Sequence, residues 1–181
     1  MPRLSLPLLL TLSFAACGAS PAADRTDAPA NAALAESFTG LGVPYSFTPP
    51  LPGTVCSGQM SEDQFARLPA AGIERVVSLR RPDERGTGWE EARARELGLE
   101  FVRIPIGGPD DLTRENAERL GAALSPPRPT LVACGSSNRV GALLALKAFY
   151  DGAPAEQALQ LGKQAGLTKL EPVVRAKLGL P

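Results

Sequence analysis

Hydrophobic and polar residues alternate in a regular order from about residue 53 to the end of the chain. Short apolar runs with β-branched residues, typical of buried strands, are followed by segments whose apolar residues recur every three or four positions, typical of helices. The pattern predicts strands at 53–58, 74–80, 99–106 and 129–134, and helices at 61–72, 88–98, 114–124, 139–150, 154–165 and 169–178. Such alternation predicts an α/β fold with a mainly parallel central sheet and helices on both faces.

Residues that favour helix ends support several of these boundaries. Ser61 with Gln64, and Thr168 with Glu171, have the spacing of a capping box, in which two side chains bond the free N–H groups at a helix start. Thr113 stands directly before another predicted helix and is expected to cap it.

The first 44 residues do not follow this alternation. Residues 1–17 contain Arg3, an apolar core and small residues before Cys17, which is the layout of a secretory signal peptide. Its apolar core is too short to span a bilayer as a helix. Residues 18–44 are rich in Ala, Pro and Gly and predict a flexible tether. Residues 45–181 are therefore expected to form one domain.

The end of the first segment, "SFAAC", resembles a bacterial lipobox, in which the cysteine becomes the lipid-modified first residue. The resemblance implies lipidation of Cys17, although Phe14 replaces the usual branched residue. Residue 18, which follows the cysteine, is Gly and not Asp. In this it resembles the lipoproteins that Gram-negative bacteria retain at the outer membrane. The expected location is therefore the periplasm, with membrane contact only through the lipid anchor. Ordinary cleavage with release is the alternative.

The absence of histidine limits the catalytic and metal-binding chemistry that the chain can perform. The sequence contains 3 cysteines, no histidine, and 19 basic against 19 acidic residues. A His-dependent triad, a His-ligated metal and a His general base are thereby excluded. Zero net charge gives no indication of a nucleic-acid partner, and we expect no metal and no organic cofactor. With Cys17 lipidated, Cys56 and Cys134 remain, either as buried free thiols or as a reversible disulfide in an oxidising compartment.

The stretch "ACGSSNRVGALLAL" (133–146) places Cys134 and Arg139 at the two ends of a short loop between a predicted strand and a predicted helix. Ligands of open parallel sheets bind beyond the carboxyl ends of the strands, where this loop lies. Backbone N–H groups of the loop and the positive end of the helix dipole predict an anion site, which also stabilises a thiolate at Cys134. The residues expected to bind substrate there are Gly135, Ser136, Ser137 and Asn138.

A second charged segment, "LRRPDERG" (79–86), follows another predicted strand at the same edge of the sheet. One interpretation is that Arg80 contacts the substrate and is oriented by a nearby carboxylate. The alternative is a solvated charged loop, and the sequence leaves both open.

Together these segments resemble the bacterial dual-specificity-phosphatase-like proteins of the cysteine-dependent phosphatase superfamily. This group is often named after the phosphatase-like domain of beta-lactamase hydrolase-like proteins. The resemblance covers about residues 50–180 and rests on "SGQMSEDQFARLPAAGIERVVSLRRPDE", "EARARELGLEFVRIPI", "ACGSSNRVGALLAL" and "GLTKLEPVVRAKLG".

The resemblance implies a dual-specificity-phosphatase-like fold and the hydrolysis of a phosphomonoester through a phosphocysteine intermediate. In this scheme Cys134 is the nucleophile, Arg139 clamps the phosphate and residues 135–138 form a cradle of amides. The substrate is a phosphorylated molecule of unknown class. Asp110 in "IPIGGPDD" is taken as the general acid, with Asp111 as the alternative and a plain turn role also open.

The sequence departs from the wider superfamily at several positions. Four residues separate Cys134 from Arg139 where five are usual, and Ala133 and Val140 replace the usual His and Ser/Thr. Two other functions therefore stay open. One is a rhodanese-like sulfurtransferase that carries a persulfide on Cys134, and the other is a non-catalytic anion-binding pseudo-phosphatase.

Overall fold

The computed structural model of the chain describes residues 27–181. The predicted signal peptide (1–17), the lipidation site Cys17 and the first part of the predicted tether lie outside these residues. Among the helices that are described, none is long and apolar enough to cross a membrane.

Over residues 27–181 the chain forms four strands and seven α-helices. The strands are β1 (Thr54–Ser57), β2 (Arg75–Ser78), β3 (Glu100–Arg103) and β4 (Thr130–Ala133). The helices are α1 (Asp27–Thr39), α2 (Glu62–Ala66), α3 (Glu90–Glu96), α4 (Arg114–Ala123), α5 (Asn138–Tyr150), α6 (Ala155–Gln164) and α7 (Glu171–Leu178). A 3₁₀ turn at Pro109–Asp111 lies between β3 and α4. Each strand and helix predicted from residue 53 onward is present, though most are shorter than predicted.

The four strands form one parallel sheet in the order β1–β4–β2–β3. Cys56 of β1 and Val77 of β2 both stand opposite Val132, so β4 lies between two neighbours. The four residues of β4 are buried, as expected of an inner parallel strand. The predicted parallel sheet is confirmed, and β4 delivers the next residue, Cys134, to the middle of the carboxyl edge.

Alternate residues of the strands pack into two separate hydrophobic cores. Val77 and Val132 lie in the core formed with α4, α5, α6 and α7. Val76 and Leu131, one position earlier on the same strands, lie in the core formed with α1, α2 and α3. Side chains of a strand point alternately to the two faces, so the sheet is covered on both sides.

Helix α1 is a difference from the sequence prediction, because it occupies part of the segment 18–44 that was expected to be a tether. Leu34 and Phe38, four residues apart, are buried against the sheet. The Asn31 side chain accepts a hydrogen bond of 2.6 Å from the Gly53 N–H. Both linkers and helices can be rich in alanine, so composition does not distinguish them. The segment is helical because burial of this apolar pair stabilises the helix.

Two of the predicted helix caps are present and one is not. The capping box of Ser61 and Gln64 is complete, and Thr113 accepts a hydrogen bond from the N–H of Asn116. By contrast, α7 begins after Leu170 without a side-chain cap. The N–H and hydroxyl of Thr168 instead donate to the Asn138 side chain at 2.9 and 3.2 Å. This contact joins the α6–α7 connection to the start of α5.

Candidate active site

The loop from Cys134 to Arg139, called here the cysteine loop, connects β4 to α5 at the carboxyl edge of the sheet. It is attached to the end of β1 by two backbone hydrogen bonds of 3.1 Å, from Cys134 N–H to the Ser57 carbonyl and from Gln59 N–H to the Gly135 carbonyl. Ser137 has a left-handed backbone with φ of 60°, which turns the chain from the strand into the helix. The loop is therefore a tight, well-held turn.

Backbone N–H groups of the cysteine loop are left for a ligand. The first bond within α5 runs from Gly141 N–H to the Ser137 carbonyl at 2.9 Å. The N–H groups of Asn138 and Arg139 precede it and have no carbonyl partner within the helix. Among residues 27–181, the N–H groups of Gly135 and Ser136 also donate to no carbonyl. Together with the positive end of the α5 dipole, these groups favour an anion.

The polar side chains of the loop have a structural role. Ser137 is buried, and its hydroxyl donates to the Ala165 carbonyl at 2.8 Å. The Asn138 carboxamide oxygen accepts from the N–H groups of Thr168 and Leu170 at 2.9 and 3.2 Å. The Ser137 hydroxyl and the Asn138 carboxamide oxygen therefore fix the α6–α7 connection. Gly135 and Ser136 are exposed at the surface of the loop.

Arg139 is held along one edge of its guanidinium. Nη1 and Nη2 donate to the two carboxylate oxygens of Glu84 at 2.5 and 2.9 Å, and Nη1 also donates to the Ile106 carbonyl at 2.6 Å. Nε bonds to no carboxylate or carbonyl in the described part of the chain, and Nη2 has a second N–H. A β-carbon placed on Gly135 would lie 3.4 Å from Nη2. The free edge of Arg139 therefore borders the cysteine loop.

The charges at this site stabilise one another. Hydrogen bonds from Arg139, opposed in part by burial and assisted by the Arg81 N–H, lower the pKa of Glu84 to about 2. The same hydrogen bonds, with the nearby Cys134, raise the pKa of Arg139 above its ordinary value despite burial. Glu84 is thus an anion at neutral pH, so it orients Arg139 and does not donate protons.

Nothing in the sequence connects Glu84 with Arg139. The two residues are 55 positions apart, and no spacing rule connects them. The available signal was topological: Glu84 follows β2, which is the neighbour of β4 in the sheet.

Arg80 lies in the charged loop, defined here as residues 80–90, and faces its own loop. Its side chain is buried and donates to the carbonyls of Arg85 and Gly86 at 2.6 and 3.2 Å. It also forms ion pairs of 3.4 Å with Glu84 and 3.3 Å with Glu90. This geometry favours a role in holding the charged loop. The contact of Arg80 with substrate stays a prediction.

The two acid candidates lie in the 3₁₀ turn, and the structure distinguishes them by contact. Asp110 is exposed. Asp111 accepts a hydrogen bond of 2.6 Å from the N–H of Gly107, the residue after the Ile106 carbonyl that holds Arg139. The turn is therefore tied to the arginine through Gly107, and the role of Asp110 as general acid stays a prediction.

An open polar cleft leads from Arg139 toward this turn. It has a volume of about 360 Å³ and is lined by Arg81, Asp83, Glu84, Gly107 and Arg139. The lining contains both signs of charge and no aromatic side chain. The lining includes Arg139 with its partner Glu84 and does not include Cys134.

Cys56 and Cys134 are both buried free thiols. Cys56 stands opposite Val132, two residues before Cys134, on the neighbouring strand. The spacing of parallel strands places the two α-carbons about 8 Å apart, beyond the roughly 7 Å limit of a disulfide. Burial, with the nearby Cys134, raises the pKa of the Cys56 thiol. The geometry favours a buried thiol at Cys56 over a disulfide.

Curated relatives match part of the chain. No family model matches it. It is 30% identical over 101 residues to the beta-lactamase hydrolase-like proteins of Xylella fastidiosa strains Temecula1 and 9a5c. The match covers 53% of this chain, and the chain spans only 23% of the length of those relatives.

Solved structures match a larger share. A DUF442 phosphatase candidate of Shewanella putrefaciens has a TM-score of 0.59 at 22% identity and covers 79% of this chain and 92% of its own. A phosphatase candidate of Neisseria meningitidis has a TM-score of 0.57 at 15% identity, covering 68% and 92%. Kinase associated phosphatase has a TM-score of 0.54 at 18% identity, covering 70% and 87%. The chain thus has the α/β fold of the dual-specificity-phosphatase-like phosphatases and is a sequence relative of the beta-lactamase hydrolase-like proteins.

Proposed function

We propose that this phosphatase-like chain is a cysteine-dependent phosphomonoester hydrolase that acts through a phosphocysteine intermediate. The observation that carries the proposal is the arrangement of Arg139. Glu84 occupies one edge of its guanidinium, and the other edge borders the loop whose unpaired N–H groups follow Cys134. A phosphoryl group bound there meets a positive fork, a cradle of amides and a sulfur nucleophile at once.

The first step is attack of the Cys134 thiolate on phosphorus. The S–P bond forms as the bond from phosphorus to the leaving oxygen breaks, and a carboxylic acid gives that oxygen a proton. Arg139 and the loop N–H groups bind the equatorial oxygens, on which negative charge is spread in the transition state. Asp110 is the proposed acid, and Asp111 is the second candidate.

The second step releases the enzyme. Water attacks phosphorus, its proton passes to the carboxylate that acted as the acid, and the P–S bond breaks. Inorganic phosphate leaves and the Cys134 thiolate is restored. Each role is filled by this chain's own residues.

The test is phosphate release from 4-nitrophenyl phosphate under reducing conditions, with Cys56→Ala as the matched control. Cys134→Ser removes the nucleophile, so turnover is expected to fall to background. Cys56→Ala removes the other buried thiol and leaves the cysteine loop intact, so turnover is expected to persist. Equal activity in the wild-type chain and Cys134→Ser would exclude the phosphocysteine mechanism.

A sulfurtransferase is the second candidate, because four residues between Cys134 and Arg139 also suit a loop that carries a persulfide. The assay is sulfur transfer from thiosulfate to cyanide by the same three proteins. Transfer that depends on Cys134, without phosphate release, would replace the phosphatase proposal. Phosphate binding without either activity would leave an anion-binding pseudo-phosphatase.

We also propose that the chain is a periplasmic lipoprotein anchored at the outer membrane through Cys17. The support is the sequence of residues 1–18. Labelling of cells with a palmitate analogue should mark the full chain, and Cys17→Ala should abolish the label. Release of an unlabelled, shortened chain by the wild type would favour ordinary cleavage.

A further inference from the structure

Glu90, the first residue of α3, is a buried carboxylate that has no step in the proposed reaction. Three donors from different parts of the fold converge on it: the Ser78 hydroxyl at 3.0 Å, Arg80 Nη1 at 3.3 Å and Arg103 Nη1 at 3.2 Å. Ser78 ends β2 and Arg103 ends β3, so Glu90 joins the carboxyl ends of two strands to the charged loop. Burying a carboxylate is costly unless such partners surround it.

Arg80 extends this contact from Glu90 to the partner of Arg139. Its Nη1 pairs with Glu90 at 3.3 Å, and its Nε pairs with Oε2 of Glu84 at 3.4 Å. The same Oε2 accepts the hydrogen bond of 2.9 Å from Nη2 of Arg139. The result is a chain of ion pairs with alternating charge, in the order Arg103, Glu90, Arg80, Glu84 and Arg139.

One oxygen of Glu84 is thus shared by two arginines, and Arg139 lies closer to it than Arg80 does. Negative charge on Glu90 draws the Arg80 guanidinium away from Glu84, because opposite charges attract strongly where water is largely excluded. Without that charge, Glu84 would be the only carboxylate paired with Arg80 among residues 27–181. The two arginines would then compete for the same oxygen.

We propose that Glu90 is a positioning residue for Arg139, and that it acts by holding Arg80 back from the carboxylate of Glu84. Glu84 then keeps both of its oxygens on the arginine fork, and the free edge of Arg139 stays directed to the cysteine loop. The inference rests on the proposed phosphatase function, in which Arg139 binds the phosphoryl oxygens. Glu90 adds no step to the reaction and acts only through its neighbours.

A simple effect of charge would have the opposite sign. Glu90 and Cys134 line the same small cavity, so the Glu90 carboxylate lies near enough to repel an anion bound at the cysteine loop. Loss of its charge would by itself strengthen anion binding. Loss of the positioning contact weakens binding instead, because a displaced fork no longer fits the phosphate oxygens. Weaker phosphate binding by Glu90→Gln is therefore not explained by charge alone.

The test is a double-mutant cycle on the binding of inorganic phosphate to the full chain, measured by titration calorimetry. The variants are Glu90→Gln, which removes the charge and keeps the size of the side chain, Glu84→Gln, and the two together. Glu91→Gln is the matched control. It removes the same charge at the next position of α3, where the side chain is 64% exposed and pairs with Arg95. Each protein is also assayed for kcat/KM with 4-nitrophenyl phosphate.

Glu90→Gln is expected to weaken phosphate binding about 3- to 10-fold. Its kcat/KM should fall by a similar factor, and Glu91→Gln should change neither quantity. In the Glu84→Gln background the carboxylate for which the arginines compete is gone, so Glu90→Gln should weaken binding by less than about 2-fold further. A purely structural role would give the same loss in both backgrounds, because the effects of independent sites multiply.

If Glu90→Gln is unfolded at the assay temperature, Glu90→Asp replaces it in the cycle. Aspartate keeps the charge on a side chain one methylene shorter, which moves the carboxylate away from Arg80. Phosphate affinity should then fall about 2- to 3-fold, and only where Glu84 is present.

Two outcomes would overturn the inference, and they are distinguishable. If the wild type releases phosphate and the change at Glu90 leaves phosphate binding unaltered, strengthens it, or weakens it equally with and without Glu84, the inference fails and the phosphatase function stands. If the wild type binds no phosphate and releases none, the proposed function fails and takes the inference with it.

Discussion

Arg80 and Arg139 offer a comparison within one site, because Glu84 of the charged loop contacts both. The Arg80 side chain is 4% exposed and directs its N–H groups to two carbonyls and two carboxylates of its own loop. The Arg139 side chain is 17% exposed and directs one edge to Glu84 and Ile106. Its other edge remains available beside the cysteine loop. The two arginines that contact Glu84 thus differ in the number of N–H groups that remain free for a ligand.

The difference follows from burial. A buried guanidinium is stable only when its donors are satisfied, so Arg80 must be matched by partners inside the fold. A partly exposed guanidinium tolerates an unsatisfied edge, because water occupies it until a ligand arrives. Residue type alone therefore does not separate a structural arginine from an anion-binding one, whereas the count of free donors does.

Arg80→Ala is expected to have the largest effect of the variants, and this effect is a loss of folding stability. The change opens a cavity and removes the bonds of a buried guanidinium, while Arg103 and Ser78 still contact Glu90, so the unfolding free energy should fall by about 2–5 kcal/mol. Urea unfolding measures the loss, with activity assayed below the unfolding transition. A variant as stable as the wild type but inactive would place Arg80 in contact with substrate, as the sequence interpretation has it.

Arg139→Lys is expected to lower the rate of catalysis rather than the stability of the fold. Lysine keeps the charge but loses the planar fork, so kcat should fall about 10²–10³-fold. The measurement is the steady-state hydrolysis of 4-nitrophenyl phosphate. If Arg80→Lys, the matched change at the structural arginine, lowered kcat per folded molecule equally, the comparison between the two arginines would fail.

Glu84→Gln tests the carboxylate that the two arginines share. The amide cannot hold both Nη groups of Arg139 as the carboxylate does, so kcat/KM should fall about 10- to 100-fold through misplacement of the fork. The KM of Glu84→Gln should rise as its kcat falls, since the fork also binds the ground state. Unchanged kinetics would show that Arg139 is oriented without Glu84.

Glu84→Gln should also change how the unfolding free energy depends on pH. The pKa of Glu84 lies near 2 in the folded chain, below the ordinary value of 4.5. Its ionised form thus stabilises the fold above about pH 4.5, and this contribution is lost as the pH falls toward 2. The difference in unfolding free energy between wild type and Glu84→Gln should shrink over that range. A difference independent of pH would argue against the ionised pair.

Arg81→Ala should have the smallest effect. Its ion pair with Asp83 is 53% and 64% exposed at the two side chains, and such pairs contribute less than about 1 kcal/mol. The unfolding free energy should therefore be close to that of the wild type. A loss as large as that of Arg80→Ala would mean that exposure does not distinguish the arginines of this loop.

Much of the fold was predictable because the signals are local. Alternating strand and helix patterns, and the small residues between Cys134 and Arg139, indicated the parallel sheet and the loop after β4. The tether was predicted too long, because an alanine-rich segment looks like a linker until Leu34 and Phe38 find a core. Thr168 was predicted to cap a helix, and it bonds to Asn138 instead because that side chain lies beside it only in the folded chain.

By itself, the sequence determined the order of strands and helices, the place of Cys134 at a strand end and the exclusion of histidine chemistry. These depend on residue periodicity, turn residues and composition, which act over a few neighbouring positions. Only the tertiary structure decided that Glu84 holds Arg139 and that Arg80 donates its N–H groups to its own loop. It also decided that Glu90 joins the charged loop to the ends of β2 and β3. Contacts between residues far apart in the chain arise from strand order and packing, which local patterns do not encode.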